Sequence, residues 1–423
     1  MSSIQRATGM QDVLPEDWRY WEMIIEKATG LAHTFGFERV EVPILEYTNL
    51  FARGVGKSSD FFVQKEMYTI EEEDGEDVTM RPEFTASFMR SYIQNGMGNW
   101  VQPVKLYTIG PAFRRERPQA NRFRQHSQFN AEIIGETDPA ADVEIMMLAR
   151  SLYHSLGYKS LAFQVNSTGC RDCKPVYVQK LRDYLAEHED KLAPVDKTRL
   201  EMNPLRVLDS KEAGMDALLA DAPHIVDNLC EDCAEHFKTL LALLDKLEQP
   251  YKINFRLVRG IDYYTKTVFE VWDTSIGAQA AIGGGGRYDG LSEAIGGPSC
   301  PGVGCGIGIE RIVAGLKEQG IEPPAGPPLT AILIHFGGET KVGAVDLLYQ
   351  LRAAGVQSIL AFARGKRSMK SQMREANKRE AKFALIMGEA EMEAGTVMVR
   401  ELASGEQTAV GQADVAEWLR ERA

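Results

Sequence analysis

The sequence predicts an α+β domain built on an antiparallel sheet, interrupted by a helical insertion and followed by a separate C-terminal α/β domain. Three observations carry this. Two β-rich runs, VKLYTIG (104–110) and QFNAEIIG (128–135), flank an arginine-rich segment, as an antiparallel pair joined by a long loop would. Strand signals fade over 170–249, where helical runs dominate, and resume at KINFRLVRG (252–260). The stretch GIEPPAGPP (320–328) holds four prolines and two glycines, which sustain neither helix nor central strand, and beyond it strand and helix patterns alternate. The expected layout is a main domain over 1–169 and 250–319, the insertion at 170–249, a linker at 320–328 and a C-terminal domain at 329–423.

The elements follow in order. Trp18, Trp21, Ile24, Ile25, Ala28, Leu31, Ala32 and Phe35 recur at helical spacing, with Pro15 before and Gly36 after them. ERVEV (38–42) reads as a short strand ended by Pro43. The run MYTIEEEDGEDVTM reads as a hairpin with Asp74 and Gly75 at its tip. Thr137-Asp138-Pro139 opens a helix that stops at Gly157. After the insertion, KTVFEVWD, AIGGGGR and GVGCGIG are expected strands. In the C-terminal domain TAILIHF, GVQSILAFA, KFALIMG and GTVMVREL are expected to form a mostly parallel sheet.

The 423-residue chain has a net charge of -12, which argues against a protein that coats nucleic acid but leaves room for a specific RNA partner. No run of 18 apolar residues occurs and the N-terminus lacks a signal-peptide core, so a cytoplasmic protein with no membrane partner is expected. Against that acidic background, FRRERPQANRFRQ (113–125) gathers five arginines around Glu116. Guanidinium groups on a rigid strand pair suit a polyphosphate; a solvated basic loop is the alternative. Gln128 and Glu132, four apart on the following strand, share one face. Glu83 and Thr85 in MRPEFTAS, read as extended chain, also share a face and suit an ammonium group. Arg259, Tyr263 and Tyr264 cluster in LVRGIDYYTKTVFE.

Glycine at 302, 304, 306 and 308 strips one strand face, which lets a flat ligand or another backbone lie close. Strict alternation excludes a dinucleotide turn, and no P-loop is present. Cys170-x2-Cys173 and Cys230-x2-Cys233 have zinc spacing within each pair; reduced thiols packed in a helical insertion explain them equally well. Lys366, Lys370, Arg374, Lys378 and Lys382 fall four apart, forming a cationic stripe where the segment is helical.

Together these segments resemble a class II aminoacyl-tRNA synthetase, and within that class the histidyl-tRNA synthetase family. FGFERVEVPILE resembles motif 1, a dimer-interface element; FRRERPQANRFRQHSQ resembles motif 2; GIGIERI resembles motif 3. LVRGIDYYTKTVFE and GGGGRYDGL resemble the two histidine-specific signatures, and RSMKSQMREANK with KFALIMGEAE the anticodon-binding domain. The resemblance covers nearly the whole chain. It implies ATP with Mg²⁺ as co-substrate, L-histidine and histidine tRNA as partners, and a homodimer. By position it implies that Glu83, Thr85 and Gln128 hold the α-amino group, with Phe84 beside them. Glu132 and Tyr264, with Tyr263 near, read the imidazole. Arg114 and Arg259 are the catalytic pair at the α-phosphate and carboxylate, which places both against histidine as well. Glu116 meets the adenine end of ATP and Arg311 its far end; His126 stands where an aromatic residue usually stacks on adenine. Lys366, Lys370, Arg374 and Lys378 are the candidate tRNA contacts. Asn130 and Phe84 stand where the family commonly has glycine. The runner-up reading is a catalytically inactive, synthetase-like histidine-sensing regulatory subunit, which would lack the catalytic arginine and the C-terminal domain.

Overall fold

The computed structural model describes residues 3–54, 66–73, 75–116, 122–275, 281–326, 328–362 and 368–422. The chain divides into two compact units between Pro323 and Pro324, inside the proline-rich stretch. The start of that stretch is packed on the first unit: Glu322 accepts a hydrogen bond from the Tyr20 hydroxyl at 3.0 Å, and Ile321 lies under Gly157.

In the first unit the strands are β1 (Glu38–Arg39), β2 (Leu45–Tyr47), β3 (Tyr68–Ile70), β4 (Val78–Met80), β5 (Val104–Phe113), β6 (Gln125–Ile134), β7 (Leu161–Ser167), β8 (Tyr251–Ile253), β9 (Thr265–Asp273), β10 (Ala281–Arg287) and β11 (Gly302–Gly308). Eight of them make one sheet in the order β1-β5-β6-β11-β10-β9-β7-β8. Its six central strands are antiparallel, as expected; β1 on β5 and β8 on β7 are parallel edges. The expected hairpin is β3–β4, and β2 completes a small antiparallel sheet with it.

Strand alternation divides this sheet into two chemically different faces. Phe129, Ala131 and Ile133 of β6, Val303, Cys305 and Ile307 of β11 and Phe269 and Val271 of β9 join one buried apolar cluster. Helices Pro15–Thr34 and Pro139–Ser155 cover it. The first begins on Pro15 with Glu16 and Asp17 in its first turn; the second begins where the Asp138 carboxylate accepts the Ala140 N–H at 2.8 Å. Each large apolar side chain buried here contributes about 1.5–3 kcal/mol. Trp18 departs from the expected buried face of the first helix: it is 43% exposed and stacks on Trp21.

KINFRLVRG does not continue as a strand. β8 ends at Ile253 because Asn254 turns the chain, its side chain accepting the Arg256 N–H at 3.1 Å and its carbonyl accepting the Leu257 N–H at 2.9 Å. Residues 257–264 therefore run as irregular chain into β9. Within 170–249 helices dominate. Tyr177, Leu181, Val207, Leu219 and Ile225 share a separate apolar cluster, while Phe237, Leu240 and Leu244 of helix Glu231–Lys246 join the main core.

The second unit contains β12 (Ala331–His335), β13 (Ser358–Leu360), β14 (Phe383–Met387), β15 (Thr396–Glu401) and β16 (Gln407–Gly411), ordered β13-β12-β14-β15-β16. β13, β12 and β14 are parallel; β15 and β16 are antiparallel additions, so the sheet is mixed rather than mostly parallel. The fifth strand was not expected, because GEQTAVG carries one buried residue, Val410, in a mostly exposed edge strand.

Candidate active site

The opposite face of the large sheet is polar and nearly bare. Register places Gly286, Gly304 and Glu132 in one row across β10, β11 and β6, and Gly284, Gly306 and Asn130 in the next. Glu270 of β9 extends the second row, and Gly308 stands opposite Gln128. Gln128, Asn130 and Glu132 thus share the face that their spacing predicts.

The missing side chains of these glycines make room for the functional groups of this chain. A Cβ on Gly304 would lie 1.5 Å from Glu132 Oε2, on Gly286 2.8 Å from the Tyr264 ring, on Gly302 2.3 Å from the Tyr288 ring and on Gly284 3.2 Å from an Arg259 nitrogen. Each glycine is a recess, and together they seat four site residues.

Glu132 is the centre. It is 1% exposed, and its two oxygens accept the hydroxyls of Thr85 at 2.7 Å and Tyr288 at 2.6 Å. Burial pushes its carboxyl up to about 8, against the lowering effect of these two bonds. Glu83 lies beside it. The expectation that Glu83 and Thr85 share a strand face is wrong: Thr85 starts helix Thr85–Gln94, and Glu83 closes its N-terminus by accepting the N–H groups of Thr85 at 2.6 Å and Ala86 at 2.9 Å. An extended reading misses this because alternation over three residues looks alike in a strand and at a helix start. Tyr263 donates to Glu83 at 3.3 Å, and burial raises the Glu83 carboxyl despite these donors and nearby Arg114. Phe84, fully buried, packs under the guanidinium of Arg81 at 4.2 Å from the ring centre rather than lining the polar face.

Arg259 enters from the irregular 257–264 segment and is held by Glu270 Oε1 at 2.7 Å; the other Glu270 oxygen accepts the Trp272 indole N–H at 2.9 Å. Arg114 leaves the end of β5, its Nε donating to the Pro82 carbonyl at 2.9 Å, and its charge acts on Glu83 and His126. His126 is held neutral, down to about 3, by burial and then by the positive charge of Arg114; Arg311 adds a smaller push. Arg311 itself donates to the Ala281 carbonyl at 2.8 Å. Arg114, His126 and Arg311 thus form one neighbourhood, with Arg259 within the field that Arg311 experiences. Glu116 is in an ion pair with Arg122 at 3.6 Å, while Arg124 donates to the Glu116 carbonyl and, from its own N–H, to the Gly9 carbonyl; Arg124 ties the loop to the N-terminal segment. Arg117 lies outside the described residues.

Sequence reading missed Tyr288 and Glu270 as site residues. Both occur in the segments it singled out, but only their contacts with Glu132 and Arg259 reveal their work. Arg287, in the same GGGGRYDGL segment, has no role in the sequence reading. The structure gives one: Arg287 is fully buried, pairs with Asp142, and donates to the Glu136 and Asp138 carbonyls, anchoring the strand end that carries Tyr288. His236 also reaches Asp142 at 3.3 Å.

The four insertion cysteines, far apart in sequence, converge: their sulfurs all lie within 4.8 Å of one another. In the second unit, Lys370, Arg374 and Lys378 are exposed along helix Met369–Lys378. Lys366 lies outside the described residues, and Lys382 falls beyond the helix, which ends before the left-handed Glu380. Among the described residues no helix is long and apolar enough to cross a membrane.

Residues 9–312 match the family model described as histidyl-tRNA synthetase, and residues 331–422 the one described as anticodon binding domain. The chain is 44% identical over 417 residues to a histidine–tRNA ligase of Pelotomaculum thermopropionicum, covering 99% of this chain and 97% of that one. The crystal structure of apo S. aureus histidyl-tRNA synthetase superposes with a TM-score of 0.80 at 32% identity, covering 99% of this chain and all of the other. A Bacillus halodurans structure titled as an ATP phosphoribosyltransferase regulatory subunit/histidyl-tRNA synthetase shares the fold, with a TM-score of 0.63 at 21% identity over 89% of this chain and 97% of that one. The regulatory-subunit alternative is not favoured: full-length identity lies with the ligases, and both the arginine at 259 and a C-terminal anticodon-binding unit are present. This chain belongs to the histidyl-tRNA synthetase family.

Proposed function

We infer that the chain is a histidine–tRNA ligase, which joins L-histidine to ATP as histidyl-adenylate with release of pyrophosphate, then transfers the histidyl group to the 3′ end of histidine tRNA. The observation that carries this reading is the glycine-stripped sheet face against which Glu132, Tyr264, Tyr288 and Arg259 are seated. Glu83, Thr85 and Gln128 receive the α-amino group. Glu132 and Tyr264 read the imidazole, with Tyr263 beside them. Both oxygens of this buried Glu132 carboxyl already accept hydroxyls, but the proton it keeps at neutral pH needs an acceptor; a side chain without ring nitrogens offers none and is rejected.

In the first step a carboxylate oxygen of histidine attacks the α-phosphorus, and negative charge grows on the phosphoryl oxygens. Arg114 and Arg259 stabilise that charge; Glu270 holds Arg259 in advance, so little reorganisation is needed. Neutral His126 stacks at the adenine without repelling Arg114, Glu116 meets the same end, and Arg311 meets the polyphosphate. The buried Nδ2 of Asn130, which lacks a partner among the described residues, supplies a further donor on the same face. Mg²⁺ bound to the phosphates of the co-substrate would supply charge neutralisation for the pyrophosphate leaving group. The exposed cations Lys370, Arg374 and Lys378 contact tRNA. The enzyme works in the cytoplasm as a homodimer; exposed Ile44 and Leu45 within the motif 1 segment, and Tyr47 just after it, support the dimer.

The test is histidine-dependent ATP–pyrophosphate exchange followed by charging of histidine tRNA. Both reactions are expected; well-folded protein that binds histidine but performs neither would return the regulatory reading.

A further inference from the structure

We infer that Cys170, Cys173, Cys230 and Cys233 bind one structural Zn²⁺ ion. The geometry carries the inference. Cys170 Sγ lies 3.8 Å from Cys173 Sγ and 3.7 Å from Cys230 Sγ, and all four sulfurs fall within 4.8 Å. Four sulfurs about 2.3 Å from a tetrahedral zinc ion stand about 3.8 Å apart. A disulfide would need about 2.05 Å. The cluster therefore has the span of a metal tetrahedron and not of bonded pairs.

Its surroundings suit thiolates. The Cys170 N–H donates to Cys173 Sγ at 3.2 Å and the Asp172 N–H to Cys170 Sγ at 3.4 Å, which stabilises negative sulfur. Cys173 opens helix Cys173–Glu187, Cys230 precedes helix Glu231–Lys246 and Cys233 lies in its first turn, so both pairs sit at the positive ends of helices. Cys173 and Cys233 are buried and the other two partly so. Four protein ligands complete the tetrahedron, which makes the site structural rather than catalytic. Sulfur donors select zinc over the hard Mg²⁺ that accompanies ATP.

The ion closes the two ends of the segment 174–229 into one staple. The staple supports the site. Beside Cys170, the Gly169 carbonyl accepts the Lys266 N–H at 2.7 Å and Thr168 Oγ1 donates to the Tyr264 carbonyl at 3.1 Å. Lys174 Nζ, one residue past Cys173, donates to the carbonyls of Asp262 at 3.4 Å and Tyr264 at 3.1 Å. Zinc thus fixes the backbone that aims Tyr264.

Full-length protein purified under reducing conditions is expected to contain one zinc per chain by elemental analysis. Co²⁺ replacing it should give intense tetrahedral visible bands and sulfur-to-cobalt charge transfer. Cys230→Ser with Cys233→Ser should abolish both signals. If that variant fails to fold, Cys233→His should keep one metal and shift the cobalt spectrum, as one ligand is exchanged. Chelation of the wild type should speed backbone hydrogen exchange around 262–264. Reduced protein that takes up neither Zn²⁺ nor Co²⁺, or that carries iron instead, overturns the inference, as does unchanged metal content in the double serine variant.

Discussion

The carboxylate of Glu132 lies over the bare Cα of Gly304, so close that a methyl group there would stand 1.5 Å from Oε2. On the proposed reading the glycine belongs to the histidine pocket although it offers no functional group. Gly304→Ala must displace Glu132, and Glu132 has nowhere to go while Thr85 and Tyr288 hold both oxygens. Histidine affinity measured by calorimetry is expected to fall at least tenfold, or about 1.4 kcal/mol. Unaltered affinity would mean that Glu132 can shift without consequence, and would remove it from the pocket.

The raised carboxyl of Glu132 predicts a pH window. Below about 8 free Glu132 holds its proton; above about 6.5 free imidazole has lost its own. The bound pair shares one proton. Binding therefore takes up a proton above the first value and releases one below the second. Affinity should be flat between and fall towards tenfold per unit on either side. Calorimetry in two buffers up to pH 9 reads this directly. Tyr288→Phe removes a bond that lowers the Glu132 carboxyl, so its alkaline limb should move up.

The same group affects stability. Its folded value lies above its unfolded one, so the folded state binds the extra proton between about 4.5 and 8. Stability from this group declines as pH rises through that window. Glu132→Gln should consequently raise the thermal midpoint more at pH 8.5 than at pH 5; an equal change at both would contradict a raised carboxyl.

Arg259 and Glu270 act as a unit. Arg259→Ala is expected to lower the exchange rate about 100-fold or more, as for loss of one transition-state donor. Glu270→Gln keeps the guanidinium but loosens it, so kcat should fall with KM for ATP little changed. Near-normal exchange in Arg259→Ala would exclude it from the chemistry.

Arg287 should matter to folding instead. Removing one member of a buried ion pair costs about 3–5 kcal/mol, and Arg287 and Asp142 are both fully buried. Arg287→Ala should lower the first thermal transition strongly. A transition within a degree of wild type would mean that water replaces the guanidinium freely.

The two units should separate by assay. Lys370→Glu or Arg374→Glu is expected to weaken tRNA charging and leave exchange intact. Equal loss in both assays would count against a tRNA role for this helix face.

Alternation of side chains on β6 and β11 is local geometry, so the sequence alone determined that Gln128 and Glu132 share a face and that glycines line one side of a strand. The two strand patterns flanking the arginine segment, the long first helix and the proline-rich stretch are legible for the same reason: each rests on residues that are neighbours in sequence. What fills the glycine recesses was not legible. Tyr264 on Gly286, Tyr288 on Gly302 and Arg259 against Gly284 depend on strand register, which couples residues 14 to 25 positions apart. Glu83 was read as strand because alternation over three residues resembles the start of a helix. The convergence of Cys170 with Cys230, sixty residues on, depends on how the inserted segment closes. Spacing within each CxxC pair suggested a metal; only the fold, by closing that long loop against the cost of chain entropy, decided that the pairs meet.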